Sequence, residues 1–290
     1  MVAPTHPNDD ADLRAAAPRG APTDDPKNFV GSVAKAFSVL HAFGPDLPEL
    51  TIAEIAARTV QNRGAAFRLA HTLVALGYLD HMPETRRFRL SLKCLELGFS
   101  ALAANDLPTH ARPLLSDVAP RISDSASLGA LDRGDVVYLQ RVEAAAQPVS
   151  RRAGSRTGAY AAALGHAILA FLPRDAQIAH LDAAPRVKLS ERTLVDLDAL
   201  IARLDEVRAR GFAVSDGENA YGLRTVAAPV LDAGGKPVAG VSLTINAARM
   251  SVDDFVALAA PHAIRIAEKL GQASRLSLGA IALPQSGAAS

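Results

Sequence analysis

Cysteine is almost absent from this sequence, since Cys94 is the single one among 290 residues. One cysteine excludes an intramolecular disulfide and a cysteine-rich metal site. An excess of positive charge is missing as well: 31 Lys and Arg stand against 30 Asp and Glu, a formal charge of +1. This balance counts against a nucleoid or architectural protein that binds DNA without sequence preference, because such binding depends on many contacts between cations and phosphates.

Long apolar runs are missing too. The apolar stretch at residues 159–172 is too short to span a bilayer, and His166 interrupts it. No apolar core typical of a signal peptide occurs near the first residue. Residues 1–27 are rich in Ala, Pro and Asp without periodicity, which predicts a disordered tail. We therefore expect a cytoplasmic protein without a membrane partner, and the length suits two domains.

The segment after this tail predicts two helices. Ser32 is available as the N-cap of the first helix, which ends near Gly44. Apolar residues recur in it at helical spacing, namely Val33, Phe37, Leu40 and Phe43. Thr51, followed three residues later by Glu54, forms a capping box that begins a second helix through Arg58. The inward side of this helix consists of Ile52, Ile55 and Ala56.

Asn62 can cap a third helix that runs to Leu76, with Gly77 as its stop signal. Its predicted buried stripe is Ala66, Leu69, Leu73 and Leu76. Two short extended segments follow at residues 78–81 and 87–92, joined by a polar turn. Three helices and then a hairpin, with a three-residue turn between the second and third helices, is the layout of a winged helix-turn-helix. The region of residues 32–90 is therefore predicted to bind double-stranded DNA.

The polar face of the third helix is the candidate reading surface. Arg63 and Arg68 suit guanine edges or phosphates, and Arg86 and Arg87 at the hairpin turn suit the minor groove or the backbone. The helix starts offer backbone N–H groups to phosphates. The candidate DNA contacts are Ser32, Thr51, Asn62, Arg63, Gly64, Phe67, Arg68, His71, Arg86 and Arg87. The alternative is that these arginines only solvate an exposed surface.

The second half of the chain alternates helices and strands. A connecting helix is predicted at residues 95–107, ended by Pro108, and further helices at 111–123, 161–171, 175–181 and 196–210. Strands are predicted at 127–131, 136–143, 212–216, 225–231 and 238–245, with a hairpin turn at 232–235. This pattern favours an α+β domain with an antiparallel sheet. The predicted divisions are a tail at 1–27, a DNA-binding domain at 28–93, a linker helix at 94–108, an effector-binding and oligomerisation domain at 109–275, and a flexible tail at 276–290.

No arrangement typical of an active site is found in the sequence. No glycine-rich phosphate loop follows a strand, and Asp216 and Glu218 favour a polar loop over an acid–base pair. The histidines lack metal-ligand spacing; those in the second half are His110, His166, His180 and His262. The sequence predicts no catalytic residue, no metal site and no cofactor. A small-molecule enzyme with an appended DNA-binding module is the alternative.

A ligand pocket is the remaining hypothesis for the second half. The strand residues Thr225, Ser242 and Thr244 offer hydroxyls, and the start of the helix at residues 160–165 offers backbone N–H groups. Hydroxyls with N–H donors suit a small carboxylate. The alternative is that hydroxyls on a half-exposed strand bind only water.

The sequence resembles the IclR-type transcription regulators over residues 28–273. The resemblance is carried by SVAKAFSVL from Ser32, TIAEIA from Thr51, RLAHTLVALGYL from Arg68, GSRTGAYAAALGHAILA from Gly154, and GLRTVAAPV from Gly222. It implies a winged helix-turn-helix, a linker helix and a GAF-like effector domain. It also implies homodimers or homotetramers that bind a palindromic operator, with RNA polymerase as a further partner.

The resemblance implies effector contacts at Tyr160, Ala163, Leu164, Gly165, Leu223, Thr225, Ser242 and Thr244. Similarity is greatest to the branch that regulates aromatic-acid catabolism, including that of protocatechuate and β-ketoadipate. The resemblance therefore implies a small organic acid as the effector, and this branch implies an aromatic one. The chain departs from the family at several positions. Gln61 replaces an apolar residue in the turn, and Gly64 replaces Ser, Thr or Ala. Tyr160 replaces a His or similar residue, Thr225 replaces a Cys or Ser, and Ala220 replaces a Glu.

Overall fold

The computed structural model describes residues 28–44, 46–103, 106–145 and 151–281. Contacts divide the chain into two compact units between Ala103 and Ala104. The predicted tail at 1–27 and the end of the predicted tail at 276–290 lie outside the described residues. Within the described ranges, no helix combines the length and the apolar character needed to cross a bilayer.

The first unit is a winged helix-turn-helix, as predicted. Its helices are α1 (Gly31–Leu40), α2 (Ile52–Arg58), α3 (Arg63–Ala75) and α4 (Cys94–Ala103). Its strands are β1 (Glu49–Leu50), β2 (Leu79–Met82) and β3 (Arg87–Leu90), which form an antiparallel sheet in the order β1-β3-β2. The short β1 strand was not predicted, because two residues are too few to show alternation.

The end of α3 explains how the chain turns from the third helix into the wing. Gly77 has φ +81°, a left-handed conformation that favours glycine. The N–H of Tyr78 donates to the carbonyl of Leu73 at 2.8 Å, and that of Gly77 donates to Val74 at 2.9 Å. These two bonds form a Schellman motif, which stops the helix at the predicted place.

Four expectations for the first unit are wrong. Ser32 is not an N-cap, because α1 begins one residue earlier and the extended backbone of Val30 takes that position without a side-chain hydrogen bond. Helix α1 ends at Leu40, whereas its end was expected near Gly44. Val33 and Phe37 are about half exposed, while Val39 and Phe43 carry the packing of this segment. On α3 the stripe is rotated, so that the buried positions are Ala66, Ala70 and Leu73 and the exposed one is Leu76.

The second unit has a six-stranded antiparallel sheet in the order β6-β5-β4-β9-β8-β7. The strands are β4 (Ser125–Asp132), β5 (Asp135–Glu143), β6 (Arg156–Gly158), β7 (Ala213–Asp216), β8 (Leu223–Leu231) and β9 (Pro237–Asn246). The helices are α5 (Leu107–Ile122), α6 (Ala163–Leu169), α7 (Arg174–Asp182), α8 (Leu197–Arg210) and α9 (Val252–Ile281). The predicted α+β class with an antiparallel sheet is confirmed.

Helices cover the two faces of this sheet. Helices α5 and α9 pack on the face formed by alternate apolar residues, among them Leu128, Val226, Val241 and Leu243. Helices α6, α7 and α8 belong to a second cluster that includes Tyr138 and Ala227. Since side chains alternate along a strand, Thr225, Ser242 and Thr244 lie on this second face.

The linker prediction and the tail prediction differ from the structure at their ends. Leu107 and Pro108 belong to the first turn of α5, where proline is tolerated because the first N–H groups of a helix have no intrahelical acceptor. Strand β6 lies in a segment where the sequence predicts no strand. Helix α9 continues to Ile281, beyond Leu276, where the loose tail was expected to begin.

Candidate functional site

The polar face of α3 is exposed, as the sequence predicts. Asn62 caps the helix by accepting from the N–H of Ala65 at 2.8 Å. The exposed side of the first two turns then consists of Arg63, Gly64, Phe67, Arg68 and His71. The structure therefore brings together six of the ten predicted DNA contacts, Asn62 included, at one surface.

Thr51 uses its side chain within the protein. Its Oγ1 accepts from the N–H of Glu54 at 3.4 Å, while the Glu54 carboxylate accepts from the Thr51 N–H at 2.7 Å. The hydrogen bond that the Thr51 N–H donates to the carboxylate is the largest cause that lowers the pKa of Glu54. The predicted capping box is confirmed, and Thr51 lies at the start of α2 as a cap. Ser32 lies inside α1, so the reason for selecting it no longer holds.

The wing arginines are not equivalent. Arg87 Nη1 donates to the carbonyl of Glu49 at 3.0 Å and lies 3.4 Å from the carboxylate of Glu54, so it ties the wing to α2. Arg86 is exposed at the tip of the hairpin with φ +54°. Arg86 lies in the turn, whereas Arg87 begins β3 and its side chain reaches a β1 carbonyl, so the two neighbours differ although the sequence suggests the same role for both.

A row of rings joins α3 to the wing. The ring centroids of Phe67 and His71 are 4.2 Å apart, and His71 contacts His81 at 5.8 Å and the buried Phe88 at 5.6 Å. His81 lies opposite Phe88 in the β2–β3 ladder. His81 was not among the predicted DNA contacts, although its place near the end of the first wing strand could have indicated it.

Gln61 connects the helix-turn-helix to α1. Its Nε2 donates to Ser38 Oγ at 3.0 Å and to the carbonyl of Lys35 at 3.3 Å. The turn between α2 and α3 is therefore tied to α1 by hydrogen bonds.

In the second unit, a small cleft with a cavity volume of about 30 Å³ lies beside the hydroxyl-bearing strands. Ser215, Thr225, Thr244 and Ser125 follow one another across β7, β8, β9 and β4 by direct pairing. The Oγ1 atoms of Thr225 and Thr244 are 3.0 Å apart. The cleft is lined by Tyr138, Arg141, Arg151, Ser215, Asn219, Ala220, Leu223, Thr225 and Thr244.

Two buried arginines in this cleft were missed by the sequence analysis. The Arg141 side chain is 6% exposed, and it donates to Ser127 Oγ at 3.1 Å and to the Glu143 carboxylate at 3.0 Å. Arg151 is 8% exposed, with its guanidinium 5.7 Å from the centre of the Tyr138 ring. A charged residue inside the Val- and Tyr-rich β5 segment is the signal that could have identified Arg141.

Five predicted effector contacts lie away from this lining. Ser242 is buried two residues before Thr244 on β9, where it pairs with Ser127 of β4 and Ala227 of β8. The Tyr160 hydroxyl donates to the carbonyl of Val187 at 2.7 Å. Three more are buried in α6, where the helix packs closely against the sheet and against the preceding loop: Ala163, Leu164 and Gly165.

The carboxylates near the cleft are paired with guanidinium groups. Asp216 contacts Arg192 and Arg224, and Glu218 Oε1 lies 3.0 Å from Arg203 Nη1. Burial raises the pKa of Glu218, while Arg203 opposes this shift. In the parts of the chain that the structure describes, no group of three or more His, Cys, Asp or Glu is placed to hold a metal ion.

His166 is completely buried in α6 and serves the fold. Its Nε2 contacts the carbonyl oxygen of Tyr160 at 2.5 Å. Burial lowers the pKa of His166 to about 4. The imidazole is therefore neutral at pH 7, and Nε2–H donates to that carbonyl.

Two family models match this chain. The model described as the IclR helix-turn-helix domain covers residues 32–83, and the model described as the bacterial transcriptional regulator IclR C-terminal covers residues 99–271. Together they span most of the sequence and follow the same order as the two units.

Individual proteins agree with this match. The HTH-type transcriptional regulator KdgR of Escherichia coli (strain K12) is 31% identical over 255 residues, 87% of this chain and 97% of that protein. The Pca regulon regulatory protein of Pseudomonas putida is 32% identical over 231 residues, 79% of this chain and 78% of that protein. The crystal structure of an IclR homolog complexed with 4-hydroxybenzoate, from Microbacterium hydrocarbonoxydans, has a TM-score of 0.72 at 22% identity, covering 84% of this chain and all of that one.

These matches confirm the predicted fold class, including the GAF-like effector domain. The matched families and relatives are regulators, which contradicts the alternative of a small-molecule enzyme with an appended DNA-binding module. The chain belongs to the IclR family of DNA-binding transcriptional regulators, with an N-terminal helix-turn-helix domain and a C-terminal effector-binding domain.

Proposed function

We propose that the effector of this regulator is a small organic acid, bound in the cleft between Arg141 and Arg151 on one side and the strand hydroxyls on the other. The observation that carries this proposal is the presence of two buried guanidinium groups in the lining of one small cleft. Binding of the acid would bias the DNA-binding domains between arrangements of different operator affinity.

A carboxylate is the chemical group that suits these arginines best. Guanidinium groups present a planar fork of donors that matches a carboxylate, and the hydrogen bonds are strengthened by charge. Thr225, Thr244 and Ser215 add hydroxyls to the lining of the cleft, and Tyr138 adds an aromatic ring. A hydroxylated aromatic acid or a short keto acid satisfies both sides, and 4-hydroxybenzoate in the Microbacterium homologue belongs to the first class.

We further propose that the exposed face of α3 enters the major groove, with Arg63, Arg68 and Asn62 at bases or phosphates and Arg86 at the backbone beside it. The support is that the three α3 side chains share one exposed surface of a helix-turn-helix and that Arg86 is exposed at the tip of the hairpin. Arg87 is not among the residues that we expect to contribute most, because it is engaged with Glu49 and Glu54.

A second copy of this chain is the partner proposed for the exposed apolar residues of the first unit. Val33 and Phe37, which lie one turn apart on α1, and Leu95 and Leu97 on α4 are each about half exposed. Two copies would place two recognition helices on the half-sites of a palindromic operator. Light scattering would distinguish the homodimer from the homotetramer.

RNA polymerase stays a predicted partner, and the domain bounds at 28–93 and 109–275 stay predictions.

The effector proposal is tested by thermal shift. The full chain is heated with 4-hydroxybenzoate, with a short aliphatic keto acid, and with 4-hydroxybenzamide, which lacks the carboxylate charge. We expect an acid to raise the melting temperature by mass action and the amide to have no effect.

The variants Arg141→Met and Arg151→Met should remove this stabilisation, whereas Arg152→Met, at an exposed neighbour, should retain it. Operator binding without effector checks that each variant is folded. An acid that stabilises all three variants equally would place the effector elsewhere, and stabilisation by the amide would contradict the carboxylate.

A further inference from the structure

Gly64 lies on the exposed face of α3, and no contact inside the protein requires a glycine there. A Cβ built at this position meets Asn62 Oδ1 at 3.6 Å and Arg68 Nη1 at 3.8 Å, both ordinary contact distances. Gly165 differs, because a Cβ there would lie 2.1 Å from the carbonyl oxygen of Ala159. Glycine inside a helix costs stability relative to alanine. The fold therefore tolerates a side chain at position 64, and the cost of glycine there has no benefit within the protein.

Phe67 lies one turn further along the same face, and its ring is 51% exposed. The ring is nevertheless held in place, because it packs on His71 at 4.2 Å, and His71 packs on the buried Phe88. An ordered apolar ring between two exposed cations, Arg63 and Arg68, is the opposite of a merely solvated helix face. It fits a partner that offers both negative charge and an apolar group.

The major groove of DNA offers that combination. Phosphates flank the groove, and among the base edges the C5-methyl group of thymine is the apolar one, which phenylalanine contacts in protein–DNA complexes. A position without a side chain lets a base edge approach the helix backbone closely, and it leaves room for the head group of Arg68, which lies near Gly64.

We propose that Gly64 and Phe67 determine operator specificity: Phe67 packs on the methyl group of a thymine, and Gly64 admits the base pair that brings this methyl group within reach. The inference rests on the proposed entry of α3 into the major groove. It predicts an operator in which each half-site carries a thymine next to the base pair that Arg68 contacts.

The test begins with operators selected from random duplexes by the full-length protein at fixed salt. Affinity is then measured for the selected duplex and for duplexes in which single thymines are replaced by deoxyuridine, which lacks only the methyl group. We expect one symmetric pair of positions to weaken binding, by about fourfold for each methyl group lost, the factor for burying one such group.

Phe67→Ala should bind the selected operator more weakly and should no longer distinguish thymine from deoxyuridine at that pair. Leu76→Ala is the matched control, because Leu76 is an exposed apolar residue at the other end of the same helix, and it should retain the discrimination. Gly64→Ala should melt no lower than the parent protein yet bind the operator about tenfold more weakly, as expected for one disturbed base contact.

Several outcomes would overturn the proposal. A protein indifferent to deoxyuridine at every position, or a Phe67→Ala variant that still distinguishes the two bases, would exclude the methyl contact. Unchanged operator affinity in Gly64→Ala would exclude close approach at position 64. A change of oligomeric state in Phe67→Ala would assign the ring to a second copy of the chain. Failure of the parent protein to select any sequence would instead contradict the proposed role of α3, so the two failures are distinguishable.

Discussion

The arginines of the first unit that are proposed to bind DNA face solvent, whereas the second unit buries arginines beside its cleft. Arg68 and Arg86 are exposed, while the side chain of Arg141 is 6% exposed and bonded to Ser127 and Glu143. The glycines differ in the same way, since a Cβ at Gly64 would make only ordinary contacts with side chains, whereas a Cβ at Gly165 would clash with backbone. A surface that meets a large polyanion gains from exposed cations. A site for a small anion gains from donors that are already fixed and dry.

This contrast is tested most strongly by adding one methyl group to each unit. Gly165→Ala places a Cβ against the Ala159 backbone, and we expect a loss of about 3 kcal/mol in the unfolding free energy, the upper range for overpacking. Gly64→Ala should lose none. Urea unfolding of both variants measures this, and equal stability of the two would remove the contrast.

A second prediction concerns pH, because the pKa of His166 is about 4 in the folded protein and 6.5 is the ordinary value. Between these values the unfolded chain takes up a proton that the folded protein does not. The stability therefore falls as the pH decreases from 6.5 to 4, by about 3 kcal/mol in total, and is unaffected by this group above pH 6.5.

Urea unfolding at a series of pH values should show this slope in the parent protein. His166→Gln should flatten it, while His41→Gln, at an exposed histidine of the first unit, should not. A slope that is unchanged in His166→Gln would show that other groups produce it.

The third prediction addresses base reading by the exposed arginines. Arg68→Ala should weaken operator binding by about 1–3 kcal/mol at fixed salt and relax the preference at one position, as expected for a guanidinium at a base edge. Gel-shift titrations against the selected operator and its single-base variants measure both effects. A uniform loss over all sequences would assign Arg68 to a phosphate.

The smallest effects are expected at the wing. Arg86→Ala should weaken binding equally for all sequences and reduce the slope of log affinity against log salt by about 1, the change for one phosphate contact. Arg87→Ala should leave that slope nearly unchanged, because this side chain is engaged with Glu49 and Glu54. The opposite result would show that Arg87 leaves its intramolecular partners when DNA is bound.

The sequence alone was sufficient where the signals are local. The capping box at Thr51, the cap at Asn62 and the stop at Gly77 each depend on a few neighbouring residues, and the structure has all three. The prediction that Ser32 caps α1 was wrong. Serine is a residue type that fits a cap, but the start of α1 is set by the extended backbone at Val30.

The effector cleft could be predicted only in part. The hydroxyls of Thr225 and Thr244 lie in two strands joined by a short hairpin, so alternation and pairing bring them together. Arg141 and Arg151 flank a segment without regular periodicity, and nothing local indicates that both reach the same cleft. Gly165 was expected at the effector, and instead its missing side chain lets α6 approach the backbone of Ala159.

The sequence by itself determined the class of this protein: the order of three helices and a wing and the α+β second half follow from local patterns and composition. The tertiary structure decided which arginines are exposed and which are buried, which of two adjacent wing arginines is engaged, and which hydroxyls line a cleft. The physical reason is that helix caps, turns and periodicity act between residues close in the chain, whereas burial and side-chain pairing depend on strand register and on packing between distant segments.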